Sequence, residues 1–133
     1  MSARELDIRA LTELLRARRC VTAAWLFGSA KDGIVRAGSD VDIAVLTDGR
    51  LSLDDQLGLC HDLQLALGIE GIDLVCLNDA SPVLAFEAIC GRLLFRRAPD
   101  VHAAFSSLTA RQYEDEMAMC RRQLAQAGNR GQS

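Results

Sequence analysis

The 133-residue sequence contains no CxxC pair, no uninterrupted apolar run of membrane-spanning length and only one lysine. Without about 18 consecutive apolar residues, no segment is expected to cross a membrane. The opening stretch, MSARELDIRA, lacks the apolar centre of a signal peptide, so a soluble cytoplasmic protein is expected. Five cysteines (Cys20, Cys60, Cys76, Cys90, Cys120) are odd in number and too scattered for a zinc site. In mostly apolar context they read as small core hydrophobes, which suits a reducing compartment. A net charge of −3 argues against holding nucleic acid by bulk electrostatics, so no direct nucleic-acid partner is expected. The skew of 14 arginines to one lysine, Lys31, carries no functional reading.

Half the residues are apolar and 25% are charged, the balance of a globular domain. The length predicts one domain over 1–127, with a disordered tail over 128–133. Ser2 and Glu5 form a capping box ahead of Ile8, Leu11 and Leu15, predicting a helix to about Arg19. The run VTAAWLF, Val21 to Phe27, predicts a buried strand ending at Gly28. Ser29 to Ser39 reads as a loop with room for one helical turn. Asp40 to Leu46 alternates as a second strand, with Asp40, Asp42, Ala44 and Leu46 on one face. Ser52 caps a helix carrying Leu53, Leu57, Cys60 and Leu67, which Gly68 stops. Gly71 to Leu77 predicts a third strand, Ser81-Pro82 opens another helix, and Leu93 to Phe95 suits a short edge strand. A long C-terminal helix after Pro99 carries Val101, Phe105, Leu108, Met117, Cys120 and Leu124, with Tyr113 slightly off phase.

Three features converge on chemistry. Gly28-Ser29 follows the first strand directly, Asp40 and Asp42 open the second after ten intervening residues, and Asp73 opens the third. Residues two apart in an extended segment point the same way, so the carboxylates of Asp40 and Asp42 share a face. For Gly28-Ser29 to meet them, the first two strands must run antiparallel. For Asp73 to join, the third must run parallel to the second, with the Ser52–Leu67 helix as crossover. Clustered carboxylates repel unless a cation sits among them. Oxygen ligands favour Mg²⁺ or Mn²⁺, and two such ions about 4 Å apart clamp the attacking and leaving oxygens of a phosphoryl-type displacement. Gly28 admits close backbone approach and Ser29 offers a hydroxyl and an N–H to a phosphate, which points to a nucleoside triphosphate. Taken singly, each feature has a plainer explanation: a solvated DxD, a Gly-Ser turn, a charge at a strand edge. Their joint spacing at the correct strand ends reverses that preference.

The pattern GS-x10-DxD resembles the nucleotidyltransferase superfamily of DNA polymerase β and kanamycin nucleotidyltransferase. The segment IDLVCLNDASPVLAFEAICGRLLF, Ile72 to Phe95, resembles more narrowly the minimal nucleotidyltransferases of the MntA antitoxin type, encoded beside a HEPN-domain toxin. The resemblance spans about Val21 to Phe95. It implies an α+β fold, with a small mixed sheet packed with helices and a long C-terminal helix. It also implies a protein adenylyltransferase that moves AMP from MgATP to a tyrosine of the partner HEPN toxin and so silences it. In that resemblance Asp40, Asp42 and Asp73 are catalytic and bind two Mg²⁺ ions, Asp73 assisting deprotonation of the acceptor. Gly28 and Ser29 hold the triphosphate.

One departure stands out. Family members often continue Gly-Ser with an Arg-Ala-Arg-Gly-like run, whereas Ala30-Lys31-Asp32-Gly33 follows here. Gly33 matches, Asp32 brings the opposite charge, and Lys31 is left to supply a positive charge to the triphosphate. His61 and His102 have no ligand-spaced partner. Trp25 reads as core, Arg92, Arg96 and Arg97 as a solvated face that can also meet ATP or an acidic partner surface, and Tyr113 as partly buried. Relatives that modify small molecules or polynucleotides carry extra domains to hold the acceptor, so this length favours a protein acceptor. Three rivals remain: an antitoxin that neutralises its toxin by binding alone, a small-molecule nucleotidyltransferase, and metal-dependent phosphate binding without transfer.

Overall fold

The computed structural model describes residues 3–130, with side chains to residue 128. In chain order its elements are β1 (Arg4–Glu5), α1 (Ile8–Ala17), β2 (Val21–Phe27), β3 (Ile34–Val35), β4 (Val41–Thr47), α2 (Leu53–Leu67), β5 (Ile72–Cys76), α3 (Pro82–Ile89), β6 (Arg92–Arg96) and α4 (Pro99–Arg130). A four-stranded sheet has the order β5-β4-β2-β6, and β1 pairs with β3 separately. β4 runs antiparallel to β2 and parallel to β5, the arrangement that the placement of Gly28, Asp42 and Asp73 demanded. β6 closes the other edge, antiparallel to β2.

The two central strands are apolar on both faces because each face carries a layer of helices. On one side Val41, Ile43 and Val45 of β4 pack with Leu11 and Leu15 of α1 and Leu59 and Leu63 of α2. On the other, Trp25 and Phe27 of β2 and Ala44 and Leu46 of β4 pack with Ala85 and Ala88 of α3, and Phe105 of α4 lies against them. The alternation that sends Ala44 and Leu46 to this second side sends Asp42 there too.

Four expectations change. The first helix begins at Ile8 beneath Asp7, whose Oδ1 accepts the Ala10 N–H at 3.0 Å, and it ends at Ala17. Ser2 lies outside the described residues, while Glu5 pairs with Ile34 in a strand because Leu6 and Val35 enter the core together. In α2 the buried leucines are Leu59 and Leu63, whereas Leu53 and Leu57 are 69% and 60% exposed. A helix with leucine at six positions offers more than one stripe, and the docking of α1 and β5 selects among them. In α4 the inward positions are His102, Phe105, Thr109, Tyr113 and Met117, while Val101, Leu108, Cys120 and Leu124 are exposed. Finally, α4 continues through Gly128 to Arg130 where a tail was expected to start, and residues 131–133 lie outside the described part.

Candidate active site

β2 ends at Phe27, opposite Asp42 of β4, and the chain then turns through Gly28 with φ of +72°. A Cβ at Gly28 would collide with Asp42 Oδ2, so glycine is required by the backbone and by the neighbouring carboxylate at once. The turn is closed by the Lys31 N–H donating to the Gly28 carbonyl at 3.3 Å. Ser29 is exposed, and its carbonyl accepts a hydrogen bond from Arg36 Nη1 at 3.0 Å. Lys31 is exposed and has no ion-pair partner among the described residues.

Asp42 and Asp73 are directly paired across the parallel β4–β5 ladder, which puts both side chains on the same face of the sheet. Asp40 stands just before β4, its Oδ1 2.6 Å from where a Cβ on Gly71 would be. Partial burial pushes the Asp42 carboxyl up from its usual range, and the charges of Asp73, Asp40 and Glu87 push it further. The carboxylate charge at Asp42 is therefore opposed by its surroundings until a cation compensates it. Among the described residues, no group of three His, Cys, Asp or Glu side chains is arranged to hold a metal ion by itself. An all-oxygen pair of carboxylates open to solvent still suits Mg²⁺, which takes one or two carboxylates and completes its shell with water and substrate phosphate.

A cleft of about 500 Å³ opens beside this edge, with Gly28 and Lys31 on one side and Phe86, Glu87 and Tyr113 on the other. Gly28 and Lys31 are thus brought to one cleft, and Asp42 lies against Gly28. Glu87 and Phe86 carry no local motif, and only the packing of α3 on the sheet brings them here. Tyr113 was visible as an off-phase residue, but its placement depends on α4 crossing α3. Asp32, the charge-reversed position, is neutralised locally: Arg36 Nη2 donates to its carboxylate at 2.8 Å, and this bond above all holds the Asp32 carboxyl below its usual range. Of the basic cluster, Arg97 donates from Nε to the Val21 carbonyl at 2.7 Å and Arg96 lies 3.4 Å from His102 Nδ1, so both face away from the cleft chemistry. Arg92 instead lies beside Gly33, its Nη1 3.7 Å from where a Cβ there would be.

Among solved structures, chains from toxin–antitoxin complexes are similar to this one. A chain from a toxin–antitoxin structure with AMP-PNP is 27% identical, with 92% of this chain and 98% of that one covered and a TM-score of 0.78. A chain from the Shewanella oneidensis complex of tri-AMPylated HEPN toxin with MNT antitoxin is 25% identical, covering 90% and 94% of the two chains with a TM-score of 0.72. A chain from a MntA–HepT toxin–antitoxin structure is also 25% identical, with coverage of 90% and 95% and a TM-score of 0.71. No curated protein sequence matches. The sequence profile described as Polymerase beta, Nucleotidyltransferase matches residues 9–100. With Gly28 against Asp42 and Asp42 beside Asp73 inside that matched span, the chain belongs to the polymerase β nucleotidyltransferase family.

Proposed function

We propose that this nucleotidyltransferase moves AMP from MgATP to a hydroxyl, preferably a tyrosine, on a partner HEPN-domain toxin and thereby neutralises it. The observation that carries this reading is the juxtaposition of Gly28 with Asp42 and of Asp42 with Asp73 at one sheet edge. The similarity to chains crystallised in toxin–antitoxin complexes, one with AMP-PNP and one with an AMPylated toxin, supports it. In this reading the turn at Gly28 and Ser29 receives the triphosphate with Lys31 beside it. Asp40, Asp42 and Asp73 are the residues that would hold Mg²⁺ or Mn²⁺, which when bound neutralises phosphate charge as a Lewis acid. The acceptor oxygen attacks the α-phosphorus, the bond to the pyrophosphate oxygen breaks, and pyrophosphate leaves. The acceptor's proton passes to Asp73, the more exposed member of the paired carboxylates.

Among the described residues the sheet and its two helical layers form the nucleotidyltransferase domain itself, and in this reading the folded partner brings the binding surface for the acceptor. The test uses ATP labelled at the α-phosphate, Mg²⁺, the full chain and the product of the neighbouring gene, comparing wild type with Asp42→Asn. Label retained on the toxin with wild type alone supports the proposal. A tight complex that protects without label moves the assignment to an antitoxin acting by binding. Efficient labelling of a free small-molecule acceptor would replace the protein acceptor.

A further inference from the structure

The cleft has two chemically different ends. Gly28 and Lys31 form a polar end beside Asp42, suited to phosphate. At the other end Phe86 of α3 and Tyr113 of α4 lie ring on ring, with centroids 4.1 Å apart and planes 11° from parallel. The transfer chemistry uses nothing at this end. We propose that the Phe86–Tyr113 pair is the platform for the nucleobase, so that the chain takes purine nucleoside triphosphates in preference to pyrimidine ones. This rests on the nucleotidyl-transfer reading above and names the part of the substrate that reading leaves unassigned.

Three observations support it. Both rings line the cleft while remaining only half-buried, so aromatic surface is offered to whatever enters. The two rings fix each other's orientation before a ligand arrives, which lowers the ordering cost of stacking. The polar and aromatic ends share one cavity of about 500 Å³, a volume within the range of small-molecule sites. Stacking on an aromatic face tolerates any base but favours those with the larger ring system, hence purines.

Cys90, exposed on the same cleft wall one turn beyond Phe86, is a built-in reporter, and Cys120, also exposed but further along α4, is its control. The full wild-type chain is alkylated with iodoacetamide in Mg²⁺ with ATP, CTP or inorganic tripolyphosphate, and each cysteine is followed by peptide mass spectrometry. ATP should slow Cys90 several-fold, CTP less, tripolyphosphate little, with Cys120 unchanged throughout. In equilibrium binding, Tyr113→Ala should weaken ATP roughly tenfold while leaving tripolyphosphate unaffected, and Tyr113→Phe should keep wild-type affinity. ATP binding without protection of Cys90, or equal loss of ATP and tripolyphosphate in Tyr113→Ala, would overturn the platform and leave the transfer reading standing. Failure of the wild type to bind ATP or tripolyphosphate at all would overturn both.

Discussion

Gly28 carries two constraints in one residue: a left-handed φ and a carboxylate where its Cβ would be. Gly38 shares the positive φ but has open space around it. Gly38→Ala should therefore cost about 1–2 kcal/mol of backbone strain and leave transfer intact. Gly28→Ala should cost more and displace Asp42, lowering the transfer rate by roughly 100-fold, since misplacement by about 1 Å has that effect. Denaturant titration and labelled-AMP transfer on both variants check this pair. Arg36 acts on the same turn from outside, joining Asp32 to the Ser29 carbonyl. Its pair is exposed and screened by solvent, so Arg36→Ala should leave stability nearly unchanged. The effect should instead appear as a raised KM for ATP with kcat little altered, because the turn that receives phosphate loses its brace. A fall in kcat at unchanged KM would contradict this role.

At the scale of elements, α2 keeps the caps and bounds read from its sequence, while its neighbours decide which of its leucines are core. Leu63 is fully buried against α1 and the sheet, whereas Leu57 is mostly exposed. Leu63→Ala should cost about 2–5 kcal/mol. Leu57→Ala should stay within about 0.5 kcal/mol, as surface substitutions do. Equal losses in thermal unfolding would reinstate the stripe read from the sequence. For α4, the anchor is His102, stacked on Trp25 with centroids 5.6 Å apart. Burial, and then the charge of Arg96, lowers the His102 pKa below its usual value. The unfolded chain therefore binds this proton more readily than the folded one. The stability that His102 contributes is present above the unfolded pKa, about 6.5, and is lost as pH falls from there through the lower folded pKa. His102→Phe should flatten that part of the pH profile of the unfolding midpoint while keeping an aromatic stack on Trp25.

The whole molecule is a sheet between two helical layers, with its carboxylates gathered at one end. The charges of Asp73, Asp40 and Glu87 weigh on Asp42 in the free domain, so nucleotide with a divalent cation should stabilise more than the sum of its contacts implies. At about 100 times its Kd, MgATP should add about 2.7 kcal/mol, seen as a higher Tm. A chelator should abolish most of that gain. Equal stabilisation by ATP with and without the chelator would argue against a cation at these carboxylates.

The sequence determined the strands β2, β4 and β5, their relative directions and the sheet end at which Gly28, Asp42 and Asp73 gather, but not β1 or β3. Unbroken apolar runs mark strands buried on both faces, and Gly28-Ser29, Asp40, Asp42 and Asp73 meet only if those strands pair as they do. These signals are local and period-bound, so one dimension suffices to hold them. Tertiary structure alone decided which leucines of α2 are core, where α1 begins, and that Phe86, Glu87 and Tyr113 share a cleft with Lys31. Those outcomes depend on how helices dock, which apolar periodicity constrains to several faces and packing reduces to one. Arg36 belongs to the same group: four residues after Asp32, it offsets the reversed charge only because the loop curls back to the Ser29 carbonyl.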